Sequence, residues 1–143
     1  ILPGLWTTGE ITQRPEAEGR STHHYIRTGE NWLPDPYRDD QSLVLKTGQG
    51  LVVICGCCHA GLLNTLFHVR RMFDDPVIAV IGGTHLVFAN EEDMEHVIEI
   101  LGGQFPNLQY YLNHCTGERA SNALVQVFGE RVRICPAGTV INF

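Results

Sequence analysis

The sequence has no long apolar run and no cluster of basic residues. Its apolar runs fall far short of the roughly 20 residues that a helix needs to cross a bilayer. Residues 1–6 are apolar but have no positive charge ahead of them, so we expect no secretory signal. The formal net charge is -6, whereas nucleic-acid phosphates and anionic lipid surfaces attract groups of Lys and Arg. We therefore expect neither a nucleic-acid nor a membrane partner.

The chain also lacks the even number of cysteines that a disulfide framework requires. Its five cysteines are typical of reduced thiols, which indicates a cytoplasmic protein. Cys55 and Cys135 lie within apolar runs, so we expect them to be buried and unreactive. Cys57, Cys58 and Cys115 lie beside histidines at the ends of predicted strands. These three are the cysteines that could take part in chemistry.

The composition changes near residue 41, although 143 residues suit one domain with a hydrophobic core. Residues 1–41 are rich in Pro, Gly, Thr and charge, a composition that predicts turns and short extended pieces in a long loop region. Residues 42–46 and 51–55 are β-rich and flank a turn containing glycine. This pattern predicts a β-hairpin.

The rest of the chain alternates between helical and strand patterns. Apolar spacing, an Asn followed by acidic residues, and short β-branched runs identify the elements. The predicted helices are 62–73, 91–101 and 121–128, the last beginning as early as Glu118, and the predicted strands are 77–81, 108–112, 132–134 and 139–141. Alternation of this kind predicts an α/β fold in which a mixed sheet carries helices on one face.

Three predicted strands are each followed by a histidine among small residues. These histidines are His59, His85 and His114. If the strand ends lie side by side, the three imidazoles approach one another in space. Imidazole and thiolate are the ligands that zinc, iron, nickel and copper prefer, so the pattern indicates a transition-metal site.

These segments resemble a known protein family. They are similar to the C-terminal half of metallo-β-lactamase-fold metal-dependent hydrolases, in the branch of the dihydropterin ribofuranosyl-aminobenzene-phosphate synthase-like proteins. The matching strings are GEI at 9–11 with Arg14, DQSL at 40–43, GCCHAGLLN at 56–64, GGTHL at 82–86 and NHCTG at 113–117. The resemblance implies half of an αβ/βα sandwich, whose sheet edge holds one or two metal ions.

The resemblance also implies roles for individual residues. His114 matches the last metal-ligand histidine of the superfamily, and Cys57 follows a glycine where many relatives have a metal-bridging Asp. With His59, two residues further on, they are the expected ligands of a divalent transition metal, with zinc as the expected ion. His85 resembles a strand-end histidine that ribonuclease Z-type relatives keep near the site, which makes it the candidate catalytic acid or base.

Each of these residues also has a structural interpretation. A histidine at a strand end is more often hydrogen-bonded than metal-bound, and a cysteine beside glycine can simply fill a tight junction. His68 and His96 fall within predicted helices, where we expect structural contacts. The adjacent pair at positions 23 and 24 would point to opposite faces of an extended segment, so we expect solvent-exposed loop residues rather than a chelating pair.

The sequence departs from the family in one respect. It contains no His-x-His-x-Asp-His string, the principal metal motif of the N-terminal half. We therefore expect half of a larger enzyme, natural or constructed, that is weakly active or inactive alone. The alternative is a non-catalytic, self-associating remnant, or a module that binds a metal or small molecule. Because half a sandwich leaves an apolar sheet face uncovered, the expected partner is a second copy in a C2 homodimer or a separate chain carrying the N-terminal half.

Overall fold

The structure is a computed structural model that describes residues 2–143. Three α-helices, three short 3-10 helices and eight strands lie within this range. The α-helices are α1 (Leu62–Met72), α2 (Glu91–Gln104) and α3 (Glu118–Phe128), and the strands are β1 (Leu5–Thr7), β2 (Tyr25–Thr28), β3 (Asn31–Pro34), β4 (Ser42–Lys46), β5 (Leu51–Cys55), β6 (Val77–Gly82), β7 (Gln109–Leu112) and β8 (Val132–Ile134). Among the described residues, no helix combines the length and apolar character needed to cross a membrane.

Six strands form one mixed sheet in the order β1-β4-β5-β6-β7-β8. The pairs β1/β4 and β4/β5 are antiparallel, and the pairs from β5 to β8 are parallel. The predicted hairpin supplies the antiparallel pair β4/β5, and each parallel pair is joined by a helix, because parallel neighbours require a crossover. The carboxyl ends of β5, β6 and β7 therefore lie at one edge of the sheet.

The two faces of the sheet are covered differently. One face packs against all three helices in the larger hydrophobic core, which confirms the predicted layer arrangement. The other face carries a smaller apolar group to which, within residues 2–143, no helix contributes. Its buried members are Val52, Ala79, Tyr111 and Cys135, and its partly buried members are Leu45, Ile54, Ile78, Ile81 and Ile141. We call this group the open face.

Residues 1–41 contain three of the short strands. β1 pairs with β4 at the edge of the main sheet, whereas β2 and β3 form a separate two-stranded sheet whose residues are all exposed. The segment between β1 and β2 crosses the loops that follow β5 and β6, where the amide of Gly19 donates to the carbonyl oxygen of His59 at 3.0 Å. This segment therefore forms part of the surroundings of the candidate site.

Helix α2 extends beyond its predicted end near Leu101. Asn90 and Asp93 form the capping box at its start, but the helix continues through two glycines to Gln104. The amide of Phe105 still donates to Leu101, and the Phe105 side chain is buried in the larger core. Its burial outweighs the helix cost of the glycines, about 1 kcal/mol each.

The predicted strand at 139–141 is wrong. A turn precedes it, in which the amide of Thr139 donates to Pro136 at 3.1 Å and Gly138 takes a φ of 90°. The turn directs the chain away from β8, so the segment forms no strand. Ile141 instead packs against the open face. Its apolar character serves side-chain packing rather than strand pairing.

Candidate functional site

The candidate site lies where three loops leave the shared edge of the sheet. These loops, 56–61, 83–90 and 113–117, follow β5, β6 and β7. Backbone hydrogen bonds hold them together: the amide of Gly83 donates to the carbonyl oxygen of Gly56 at 3.0 Å, and the amide of Asn113 donates to the carbonyl oxygen of Gly82, the last residue of β6, at 3.2 Å. The short loops leave their histidines and cysteines little freedom to move apart.

Left-handed backbone conformations are concentrated in this region. Among the described residues, four that are not glycine have a positive φ, and all four contribute to the site or its wall: Tyr37 (47°), Cys58 (61°), His85 (51°) and His114 (49°). Each such conformation costs on the order of 1–3 kcal/mol and persists only where the surrounding structure holds it. Conformations of this kind cluster at functional sites, which supports a functional role for these loops.

Cys57, His114 and Cys115 form the first of two side-chain groups, which we call the thiol group. Their potential ligand atoms all lie within 4.8 Å of one another. The Cys115 thiol donates to the carbonyl oxygen of Cys57 at 3.4 Å. Burial raises the pKa of Cys115 to about 11, so its sulfur holds a proton near pH 7. Two sulfurs and an imidazole are a donor set that suits a zinc-type ion, whose binding would release that proton.

His59 and His85 form the second group, which we call the imidazole pair. Their ring centroids lie 4.2 Å apart. The Nδ1 atom of His59 lies 2.9 Å from the carbonyl oxygen of Gly19, and Nδ1 of His85 contacts the same oxygen. Burial lowers the pKa of His85, and the nearby charges of other histidines, including His114, act in the same direction.

The structure thus divides the residues singled out in the sequence between two adjacent groups. His59 and His85 are in ring contact, and His114 lies close enough to affect the pKa of His85. Cys57 and His114 lie together in the thiol group. His59, which the family resemblance names as a ligand beside them, is not within the 4.8 Å group.

Tyr37 and His24 are site residues that the sequence did not reveal. The Tyr37 ring stacks on His59, with a centroid separation of 4.2 Å and an interplanar angle of 11°. Its hydroxyl lies 2.8 Å from Nδ1 of His24, whose ring is 5.9 Å from that of His59. His24 is exposed as expected, but only the fold of the loop region brings it here. Cys115 had a visible signal, its position next to His114.

The other histidines and cysteines belong to neither the thiol group nor the imidazole pair. His68 contacts the carbonyl oxygen of Thr8, and His96 pairs with Glu16 on the surface at 2.7 Å, both structural contacts. Cys55 and Cys135 are buried, as predicted. Cys58, which the sequence offered as a reactive candidate, is buried as well. Its hydrogen bond with Cys55, together with burial, raises the pKa of Cys58 and keeps the thiol protonated.

The chain is similar in sequence to one known protein and in structure to another. No protein-family model matches the chain. The whole chain is 30% identical to 7,8-dihydropterin-6-methyl-4-(β-D-ribofuranosyl)-aminobenzene-5'-phosphate synthase of Methanocaldococcus jannaschii and spans 50% of that protein. Its structure matches the crystal structure of a metal-dependent hydrolase of the β-lactamase superfamily with a TM-score of 0.86 and 26% identity, over all of this chain and 55% of the other. The chain thus spans about half the length of these relatives.

The mixed sheet, its single helical layer and the strand-end histidines define a protein of the metallo-β-lactamase superfamily. Within that superfamily the chain is similar to the dihydropterin ribofuranosyl-aminobenzene-phosphate synthase branch, to which its 30%-identical archaeal relative belongs. The resemblance inferred from the sequence motifs is confirmed.

Proposed function

We propose that this chain provides part of a metal-dependent, hydrolase-type active site, in which Cys57, His114 and Cys115 hold a divalent transition metal. The observation that carries the proposal is the convergence of three ligand atoms within 4.8 Å. Sulfur and imidazole ligands favour zinc over the oxygen-preferring Mg²⁺ or Ca²⁺. When bound, such an ion supplies a Lewis acid and an activated water at neutral pH. His59 is a candidate further ligand, since the family resemblance implies it.

The imidazole pair gives the site a group that can accept a proton. Because the pKa of His85 is lowered, its ring is neutral near pH 7, the state that a general base requires. Only 8% of the residue is exposed, so few waters compete for the ring. We propose His85 as the acid or base of the reaction. Tyr37, stacked on His59, holds the neighbouring ring in place.

The substrate class is proposed from the surroundings of His85. A cavity of about 160 Å³ adjoins this residue, and Arg20 and His96 are in its wall. The name of the archaeal relative describes a synthase whose product carries a 5'-phosphate. We therefore propose hydrolysis or group transfer at a phosphate or carbonyl centre, with phosphate-bearing compounds as the first substrates to assay.

Cobalt substitution tests the metal site. The metal-free protein, titrated with Co²⁺, should develop the near-ultraviolet absorption of thiolate bound to cobalt and should release protons. His114→Ala and Cys115→Ala should each lose this absorption. His96→Ala is the matched control, because His96 is an exposed histidine outside the thiol group. If the absorption were unchanged in Cys115→Ala but lost in His59→Ala, His59 rather than Cys115 would be the third metal ligand.

A second candidate function is a non-catalytic module that self-associates and binds a metal. The apolar open face and the three convergent ligand atoms are the observations that favour this candidate. For either function we expect little or no turnover of a generic phosphodiester or lactam by this chain alone. Metal-dependent turnover that His114→Ala abolishes would contradict that expectation. The five unpaired cysteines support a reducing compartment, and we propose the cytoplasm.

The open face supports a further proposal about assembly. Its apolar side chains lie opposite the helical layer and receive no helix in the described part of the chain. We propose that a second copy of the chain covers this face, or that a separate chain carrying the N-terminal half does so.

A further inference from the structure

We infer that the backbone carbonyl of Gly19 is a positioning group that holds His59 and His85 in the same tautomer. In this tautomer both rings carry their proton on Nδ1. Both Nε2 atoms then keep a lone pair and are the atoms through which the rings can bind a metal or accept a proton. The catalytic use of these atoms rests on the proposed function, but the tautomer itself does not.

The rings of His59 and His85 both contact the carbonyl oxygen of Gly19. A carbonyl oxygen can only accept hydrogen bonds, so a ring nitrogen bonded to it must carry the hydrogen. Nδ1 of His59 lies 2.9 Å from this oxygen, and Nδ1 of His85 contacts it too. Since a neutral imidazole has a single N–H, Nε2 is left without a hydrogen in both rings.

Only glycine permits this contact at position 19. A Cβ atom there would lie 2.6 Å from Cβ of His85 and 3.2 Å from its Nδ1. The amide of Gly19 also donates to the carbonyl oxygen of His59 at 3.0 Å. One residue therefore contacts the main chain and the ring of His59 together with the ring of His85.

The segment that leads to Gly19 is anchored by two sets of contacts. The Arg14 guanidinium is mostly buried and donates to the carbonyl oxygens of Pro36 and Tyr37 at 2.9 and 2.7 Å. It also forms an ion pair with Glu18 at 2.9 Å. The backbone of Glu16 bonds in both directions with the side chain of Asn64. These contacts keep the Gly19 carbonyl fixed relative to the two rings.

His24 provides an internal contrast. The Tyr37 hydroxyl accepts from the amide of Ser21 at 3.1 Å and lies 2.8 Å from Nδ1 of His24, to which we expect it to donate its single hydrogen. His24 should therefore carry its proton on Nε2, the opposite tautomer. His59 and His85 should therefore share the Nδ1–H tautomer, whereas the neighbouring His24 has the Nε2–H tautomer. Packing of Gly19 against the rings would not by itself require this difference.

The tautomers can be read by NMR in metal-free protein with ¹⁵N-labelled histidine at pH 8, where imidazoles of ordinary pKa, about 6.5, are neutral. Two-bond ¹H–¹⁵N correlations distinguish the protonated nitrogen from the bare one, and His59→Gln and His85→Gln assign the signals. We expect protonated Nδ1 in both rings and protonated Nε2 in His24. Protonated Nε2 in either His59 or His85 would overturn the inference.

Gly19→Ala is a second test, which asks whether the Gly19 carbonyl sets the tautomers. The added methyl group should displace the carbonyl, so the Nδ1–H pattern of His85 should be lost. Gly48→Ala is the matched control, because nothing lies within 4 Å of a Cβ at that position. Retention of both Nδ1–H patterns in folded Gly19→Ala would contradict the role of Gly19. If that variant does not fold, the wild-type tautomers still decide the matter, and cobalt titration tests the proposed function separately.

Discussion

The thiols of Cys57 and Cys115 approach within 4.8 Å of each other, although the two residues are 58 positions apart. They follow β5 and β7, which are separated in the sheet by β6. The close approach depends on Gly83, the first residue after β6, where a Cβ atom would lie 2.6 Å from the sulfur of Cys115 and 2.8 Å from the carbonyl oxygen of Gly56. A residue without a side chain therefore lets the outer loops meet.

We expect mild oxidation to join these two sulfurs. With a low-molecular-weight disulfide RSSR, two exchange steps convert the two thiols into a Cys57–Cys115 disulfide and release two RSH. Intact mass should fall by two hydrogens, a peptide map should contain the crosslink, and the oxidised protein should no longer bind Co²⁺. Cys115→Ser should instead retain an RS adduct on Cys57. A crosslink between the buried Cys55 and Cys58 in place of this one would contradict the expectation.

Asn64→Ala should destabilise the fold strongly. The Asn64 side chain is fully buried and accepts from the amide of Glu16 at 3.0 Å, while its own amide donates to Glu16 and Ala60 at 2.9 and 2.8 Å. Its removal leaves buried backbone groups without partners, so the free energy of unfolding should fall by about 2–3 kcal/mol. Urea unfolding measures the change. Asn122→Ala, at an exposed position of α3, should change it by less than about 0.5 kcal/mol, and an equally small effect at Asn64 would be inconsistent with this account.

Tyr110→Phe should stabilise the protein. The Tyr110 hydroxyl is buried and has no hydrogen-bond partner among the described residues, so its removal should raise the free energy of unfolding by about 1 kcal/mol at pH 7. The stacking of this ring on Phe128, with centroids 5.2 Å apart, should persist. A lower free energy of unfolding for the variant would contradict this prediction.

Tyr110 should also make the free energy of unfolding depend on pH. Burial raises the pKa of Tyr110 to about 12, whereas an unfolded tyrosine has a pKa of about 10. The unfolded chain therefore loses this proton first, so the stability linked to Tyr110 is complete below pH 10 and declines between pH 10 and 12. The advantage of Tyr110→Phe should grow over this range in urea unfolding. A pH-independent difference would mean that the hydroxyl is not buried.

Light scattering should reveal a homodimer at micromolar concentration. An interface that covers the open face should bury more than the roughly 1,200–2,000 Å² of a standard complex, because it would draw on the apolar positions of β4, β5 and β6. Ile81→Asp, on the open face, should give a folded monomer. Val127→Asp, at an exposed position of α3, should remain dimeric. A monomeric wild-type protein would exclude self-association through this face, and a separate partner chain would then be the proposal to test.

The sequence by itself determined most of the elements after residue 41 and the edge of the sheet at which the site lies. Apolar periodicity and helix caps act within a few residues, so they predicted α1, α3, β6 and the hairpin of β4 and β5 with close boundaries. The position of His59, His85 and His114 after buried strands followed from the same local patterns. The motif strings identified the superfamily.

Tertiary structure decided which side chains meet. The left-handed conformations of His85 and His114 set the directions of their side chains, and no local pattern predicts such directions. The contacts of Gly19 with His59 and His85 join parts of the chain 40 and 66 positions apart. Cys115 approaches Cys57 because Gly83, which lies between their loops, has no side chain. Helix α2 and the segment 139–141 departed from prediction because of tertiary contacts: Phe105 is buried in the larger core, and Ile141 packs against the open face instead of pairing in a strand.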